Sequence, residues 1–400
     1  MLYFFTFFYS LGFVFPSSLR SLILLPVFPM LRRSLTAFIP RSLIPARNFF
    51  ISPKHLYYTD GPREPTAPIP DRIPNWTNDL KEIFGKLKNN SNVFLHGGAA
   101  TPSHLLLSLH KYVMGENLKG IKLFHIHTEG PYPFTEGESA KHFRSSSLFV
   151  AKNCRSAINS GIADYTPIYL SEIPHLFRRN LIPLEFALIN VSKPDIHGFC
   201  SLGPSIDIAR AAVQNAKFIV NRHVPFSRGD AGIHISHIDY LVQCDEPLHE
   251  MGSSKIYPED VSIGKIISEK LVSDGATIQM GIGSIPEVVL SQLGGHKHLG
   301  VHTEMFSDGL VDLVKAGAVT NALKFNRPGK IVATFVIGSK KVYDFIDNNP
   351  LVDMVDVSWV NSPYVIAQNP QPTSINSCIE VDITGQVVSG SIGDKIYSGH

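Results

Sequence analysis

From Asn92 onward, short apolar runs that stop at small-residue loops alternate with longer stretches of helical spacing, and no other feature of this 400-residue chain constrains its fold more. Strand, loop and helix recurring in that order build parallel sheets covered by helices, not a sandwich or a bundle. Residues 92–95 read as a strand stopping at His96-Gly97-Gly98-Ala99-Ala100-Thr101-Pro102, with a helix over 103–113. Residues 122–128 read as a second strand, 148–162 carry helical spacing, 166–170 look like a strand, and Pro174 breaks the chain. A strand over 185–192, a turn at Pro194-Asp195-Ile196-His197-Gly198-Phe199, a helix over 207–216 and a strand over 218–220 follow.

Around 250–259 the composition turns polar, with Gly252, Ser253, Ser254 and Pro258, which marks a domain boundary. A fresh unit begins there. Glu259 and Asp260 suit a helix N-terminus, and Ile263, Ile266, Ile267 and Leu271 give one apolar face. Asp274-Gly275 ends that helix; residues 277–280 read as a strand, Gly281-Ile282-Gly283-Ser284-Ile285 as its loop, and Pro286 as the first turn of the next helix. Gly294-Gly295 closes it before a strand over 299–302.

The N-terminal 59 residues are set apart from any fold. They hold Arg20, Arg32, Arg33, Arg41, Arg47 and Lys54 and no Asp or Glu, so removing them turns a formal charge of +2 into 30 basic against 34 acidic residues. That mildly acidic body has no Lys/Arg-rich run and so no electrostatic footprint for nucleic acid. From Met30 to Phe50 the Arg-, Ser- and Leu-rich, acid-free composition is that of a mitochondrial presequence. Residues 1–15 are apolar but stop at Pro16, short of the roughly 20 needed to span a membrane. They read as a secretory signal or anchor, as an extension upstream of a start at Met30, or as part of a long presequence. Residues 60–75 are Pro-rich and polar, a linker or an arm lying on the body, with the folded structure starting near Trp76. Cys154, Cys200, Cys244 and Cys378 are far apart without a C-x-x-C pair, which argues against disulfides or a zinc ribbon and disfavours the secretory reading.

Gly281 and Gly283 at a strand-to-helix turn let backbone N–H groups face a phosphate or an oxyanion. The same glycines also suit a plain tight turn. Glu304 follows Gly283 by 21 residues, at the end of the next strand and among apolar neighbours, so loop and carboxylate share the side of the sheet where ligands gather. His125-Ile126-His127 sets two imidazoles on one strand face, with His96 or Glu129 as further ligands for a metal. Without a third ligand at fixed spacing, hydrogen-bonded histidines are the preferred reading, and no metal is expected.

Three segments, Gln279-Met280-Gly281-Ile282-Gly283-Ser284-Ile285-Pro286, His302-Thr303-Glu304-Met305 and Ile379-Glu380-Val381-Asp382-Ile383-Thr384-Gly385-Gln386-Val387, resemble the acetyl-CoA hydrolase/transferase family, the class I CoA-transferases. The 96–102, 163–168 and 194–199 segments agree, and the resemblance runs from about Trp76 to the end. It implies two related open α/β domains with mostly parallel sheets and covering helices, 76–255 and 256–400, the second truncated at its C-terminus. It makes Glu304 the nucleophile that carries a glutamyl-CoA thioester and assigns Gly281, Ile282, Gly283, Ser284 and Ile285 to the CoA and oxyanion site. Asn361 would orient the thioester carbonyl, although Asn before Ser362-Pro363 is also a turn signal. Ile379 lies where the family contacts CoA, while Glu380 and Asp382 are a second carboxylate pair or the polar face of a strand.

The substrates implied are a short acyl-CoA, acetyl-CoA first, and a small carboxylate such as succinate or 4-hydroxybutyrate. Coenzyme A is a substrate and no tightly bound cofactor is implied. Mitochondrial location, homo-oligomerisation and no membrane contact for the mature body complete the expectation. Two departures stand out: the family continues past Ser398-Gly399-His400 through a glycine-rich segment with another oxyanion donor, and residues 218–226 replace a longer Gln/Asn-rich stretch. Rival readings are an acyl-CoA hydrolase, an inactive CoA-binding homologue and a nicotinamide dehydrogenase.

Overall fold

The computed structural model describes residues 64–399 apart from Lys217, Arg222, His223, Asp245 and Ser253. The expected targeting extension, with its presequence and start-codon alternatives, lies outside the described residues. The first half is an eight-stranded sheet. In chain order the strands and helices of this half are β1 (Asn75–Trp76), α1 (Leu80–Phe84), β2 (Asn92–Leu95), α2 (Ser103–Gly115), β3 (Ile121–His125), β4 (Phe143–Ser147), α3 (Arg155–Asn159) and β5 (Asp164–Tyr165). Next come α4 (Ile173–Arg178), β6 (Phe186–Leu188), β7 (Phe199–Ser201), α5 (Ala209–Asn215), β8 (Phe218–Asn221), β9 (Gly232–His234) and β10 (Tyr240–Leu241). The sheet order is β1-β10-β8-β6-β2-β3-β4-β5, with every pairing parallel. β7 and β9 form a separate antiparallel pair.

The chain leaves β2 toward β3, β4 and β5, then returns to β6 on the other side of β2. Strand order therefore reverses at β2, and the crevice of an open sheet lies outside the carboxyl ends of the strands at such a reversal. Here that position is the 96–102 loop.

The second half contains α6 (Pro258–Lys270), β11 (Thr277–Met280), α7 (Ser284–Gln292), β12 (Gly300–Val301), β13 (Met305–Phe306) and α8 (Asp308–Lys315). β14 (Ile331–Ala333), β15 (Phe335–Val336), α9 (Lys340–Ile346), β16 (Val352–Met354), α10 (Val357–Val360), α11 (Pro363–Ala367) and β17 (Pro372–Ile375) follow. β17-β11-β12, β13-β15 and β14-β16 all pair in parallel, and His302 bridges Val332 in parallel. Two antiparallel hairpins, β18 (Glu380–Val381) with β19 (Val387–Val388) and β20 (Ser391–Ile392) with β21 (Lys395–Ile396), end the described chain. The expected parallel α/β architecture is the observed one.

One apolar core runs through both halves, joining Ile189, Ile206 and Ala209 to Met305, Phe335 and Val357. The last strand of the first sheet ends at Leu241 and the first helix of the second half opens at Pro258. Residues 64–72 lie as an arm on the body: Ile69 is buried and its N–H donates to Ser236 Oγ at 2.9 Å, while Arg72 pairs with Asp239.

Two local expectations fail. Within 148–162 only α3 is helical, because Ser147 Oγ turns back to Phe149 O and the chain runs irregularly to Cys154. The strand expected over 166–170 is instead β5: Thr166 N–H still reaches Ser147 O, but Pro167 has no N–H with which to continue the ladder.

Candidate active site

Glu304 sits at an interruption between β12 and β13, not at the end of a single strand as expected. Its carbonyl accepts from two successive donors, Thr334 N–H at 2.9 Å and Phe335 N–H at 3.2 Å, and this doubled contact breaks the ladder where the side chain must leave the sheet. The strand leading to it is fixed by buried polar groups. Val301 N–H donates to Asn321 Oδ1 at 2.8 Å, and Lys324 Nζ donates to Val301 O and Lys330 O at 2.7 Å each. Burial pushes the Lys324 ammonium down to about 7.

Thr303, immediately before Glu304, ties this interruption to the end of β11. Its Oγ1 accepts from Met280 N–H at 3.1 Å and donates to Met305 O at 2.7 Å. The Gly281–Ile285 loop thus leaves β11 beside the residue that precedes Glu304. Within that loop Gly283 has φ 116 and ψ 179, a conformation open in practice to glycine alone, and α7 starts at the next residue. One expected donor is spent: Gly281 N–H belongs to the ladder, donating to Ile375 O at 2.9 Å. Ile282 is exposed, Ser284 is half-buried, and Ile285 is buried in the core.

Asn361 is brought onto the carboxylate, its Nδ2 donating to Glu304 Oε2 at 2.6 Å. It ends the short helix α10, which Asp356 starts by accepting from Ser358 N–H at 2.9 Å. His302 Nε2 donates to Val360 O at 2.7 Å, so two consecutive residues of the helix end are bonded to two residues of the carboxylate strand. Burial holds the His302 imidazole at about 4, neutral and able to keep that role. Burial also raises the Glu304 carboxyl above its ordinary range, and the Asn361 hydrogen bond opposes that rise.

The first half meets Glu304 at its strand-order reversal. Ser205 bridges Phe335, and Ile206 N–H donates to Thr334 O at 3.0 Å. His127, its ring tilted 60° against that of Phe335 at 5.4 Å between centroids, lies on the same side. Asp207 is nearly fully buried: its Oδ1 accepts from the N–H groups of Ile208 and Ala209, and its Oδ2 has no hydrogen-bond partner among the described residues. Burial, with the nearby Asp356 and Glu304 carboxylates, pushes Asp207 up to about 7. Sequence reasoning missed Asp207 and Thr303; neither lies in a pattern that separates it from a helix cap or a strand threonine.

The other expected groups are placed as follows. Asn376 Nδ2 donates to Gln279 Oε1 at 2.9 Å beside Gly281, three residues before the half-buried Ile379, whose N–H pairs with Val388 O. No hydrogen bond joins Ile379 to Glu304 among the described residues. Glu380 is exposed, and Asp382 shapes the hairpin turn by accepting from Thr384 and Gln386 N–H. The carboxylate pair is therefore a strand and turn feature. His96 uses both nitrogens, toward Ser205 O and Asn190 N–H, and His125 uses both, toward Ile126 O and the Ser145 and Tyr132 hydroxyls. These two imidazoles act as hydrogen-bond groups, each held at about 4 by burial.

Comparison with known proteins gives this geometry a setting. Residues 72–249 match the acetyl-CoA hydrolase/transferase N-terminal domain and residues 338–400 the C-terminal domain of the same family, with Glu304 lying between the two matches. A succinyl-CoA:acetate/propanoyl-CoA:succinate CoA transferase of Fasciola hepatica is 61% identical over 356 residues, 88% of this chain and 74% of that one. A 4-hydroxybutyrate coenzyme A transferase of Clostridium kluyveri is 44% identical, covering 80% of this chain and 74% of its own. Among solved structures, RipA from Yersinia pestis superposes with a TM-score of 0.76 at 30% identity, over 80% of this chain and 76% of that one. The 4-hydroxybutyrate CoA-transferase of Porphyromonas gingivalis gives 0.68 at 33% identity, over 78% and 75%. On these matches the chain belongs to the acetyl-CoA hydrolase/transferase family.

Proposed function

We propose that this protein is a CoA-transferase that moves CoA between a short acyl-CoA, acetyl-CoA first, and a small carboxylate such as succinate, with Glu304 as the covalent carrier. The observation that supports it most is a half-buried carboxylate held at 2.6 Å by Asn361 Nδ2 at a break in a parallel sheet. In this reading a Glu304 oxygen attacks the thioester carbonyl and expels CoA thiolate, leaving an acyl-glutamyl anhydride. The thiolate then attacks the glutamyl carbonyl, releasing the acyl group as its carboxylate and leaving glutamyl-CoA. The acceptor carboxylate attacks that thioester, and the same two steps run in reverse to give the new acyl-CoA and free Glu304. No redox change occurs and no water is consumed.

Each addition creates an oxyanion, and the Asn361 amide with the Ile282 region of the loop supplies donors for it. Ile379 and the 376–379 segment flank the CoA side. The acyl group and acceptor occupy the crevice at the 96–102 loop. Coenzyme A is a substrate, the two halves are two domains divided at 255/256, and the active form is a homo-oligomer. The 30–50 segment directs the chain to mitochondria, which a reporter fusion tests: secretion or a diffuse cytosolic signal would refute it.

The deciding experiment is intact mass spectrometry after incubation with acetyl-CoA and borohydride, which reduces a glutamyl thioester. A mass loss mapped to Glu304 and absent in Glu304→Gln supports the reading. No modification with CoA still bound would replace it by CoA binding alone, and CoA release without an acceptor acid would replace it by hydrolysis.

A further inference from the structure

His104 in the first turn of α2 and Cys244 and Glu246 in the segment after β10 place one imidazole nitrogen, one thiol sulfur and one carboxylate oxygen within 4.8 Å of one another. All three side chains reach solvent, whereas Cys154, Cys200 and Cys378 are buried. Two donors of a tetrahedral zinc-type ion, at about 2.0–2.3 Å from the metal, stand roughly 3.5 Å apart. Closing the triad onto an ion therefore takes adjustments of roughly 1 Å in the donor positions. The donor-bearing segment is also fixed at both ends. β10 pairs with β8 and β1 on one side, and on the other His249 Nε2 bonds Ser103 Oγ at 2.8 Å while its carbonyl accepts from Tyr343 Oη at 2.6 Å. Ser103 adjoins His104, so both ligand-bearing segments are held where they meet.

We propose that His104, Cys244 and Glu246 form a site for one zinc-class divalent cation, with a fourth position open to water. A soft thiolate, a borderline imidazole and a carboxylate select zinc or cobalt over magnesium or calcium, which take oxygen donors alone. The ion joins the start of α2 to the segment leading from the first sheet to the second half, so its binding stiffens the connection between the halves. Glu304 and Asn361 have no part in it, and the site is independent of the transferase reading.

Titration of the full chain with Co2+, followed by optical absorption, tests this. The expected result is one ion per chain, with a thiolate-to-cobalt charge-transfer band and visible bands of tetrahedral strength that Zn2+ abolishes. Cys244→Ser should remove the charge-transfer band, and His104→Gln and the isosteric, exposed Glu246→Gln should each weaken binding by about tenfold or more. Absence of the band in the wild type overturns the proposal. So does equal affinity in His104→Gln and Glu246→Gln, which would mean binding by a thiol alone.

Discussion

In the proposed reaction Glu304 must be ionised to attack a thioester, yet burial favours its neutral form and Asn361 is the group that opposes this. Asn361→Ala removes the donor to the carboxylate and, in the proposed reaction, an oxyanion donor with it. Exchange should fall by about 10²-fold or more, and the acidic limb of kcat/KM should move to higher pH, because the influence that lowers the carboxyl is gone. A limb that stays in place would mean that the 2.6 Å contact does not set the ionisation of Glu304. Asp207 gives the complementary case. Its folded-state value is raised to about 7, so folding takes up a proton and stability falls as pH rises from the unfolded value toward 7, then stays low. Asp207→Asn keeps an oxygen for the Ile208 and Ala209 N–H groups and removes the charge. The variant should gain on the wild type in melting temperature between pH about 5 and about 8, by a free energy on the order of 4 kcal/mol at most. Parallel pH dependence in the two proteins would show that Asp207 is ionised throughout.

Elements were legible where residue types alone decide them. A strand, a glycine loop and a helix over 277–292 follow from apolar run, glycines and Pro286, and Glu304, read as lying among apolar neighbours, is half-buried. What the sequence hides is set by distant partners: two-residue strands such as β12 and β13 exist only because their neighbours pair with them. The helix α6 shows the same limit. Ile266, expected on its buried face, is exposed, whereas Gly264 is buried because the face is centred on a close approach to α7. A Cβ at Gly264 would come within 2.4 Å of Val288 Cγ1. Gly264→Ala should therefore cost about 1–3 kcal/mol by overpacking, and Val288→Ala should recover part of that loss in the double variant. Urea unfolding of the four proteins measures the coupling; strictly additive costs would mean that the helices do not interlock there.

At the scale of the whole molecule, the two halves meet through groups that also arrange the site. Arg178 on α4 pairs with Asp356, and its Nε donates to Gln214 Oε1 at 2.9 Å. Asp356 starts α10, α10 delivers Asn361, and Asn361 holds Glu304, so an ion pair between the halves lies three links from the carboxylate. The pair is partly buried, between the weak surface case and the costly buried one, and Arg178→Ala should lower stability by about 1–3 kcal/mol. It should also lower kcat by roughly tenfold with KM little changed, because a small misplacement of Asn361 is felt at the reacting carbonyl and not where CoA binds. An Asn361→Ala background separates this route from general loosening. If Arg178 acts through α10, adding Arg178→Ala there should cost stability as before but little further activity. If the two losses of activity multiply, the ion pair works on the site by some path other than the helix.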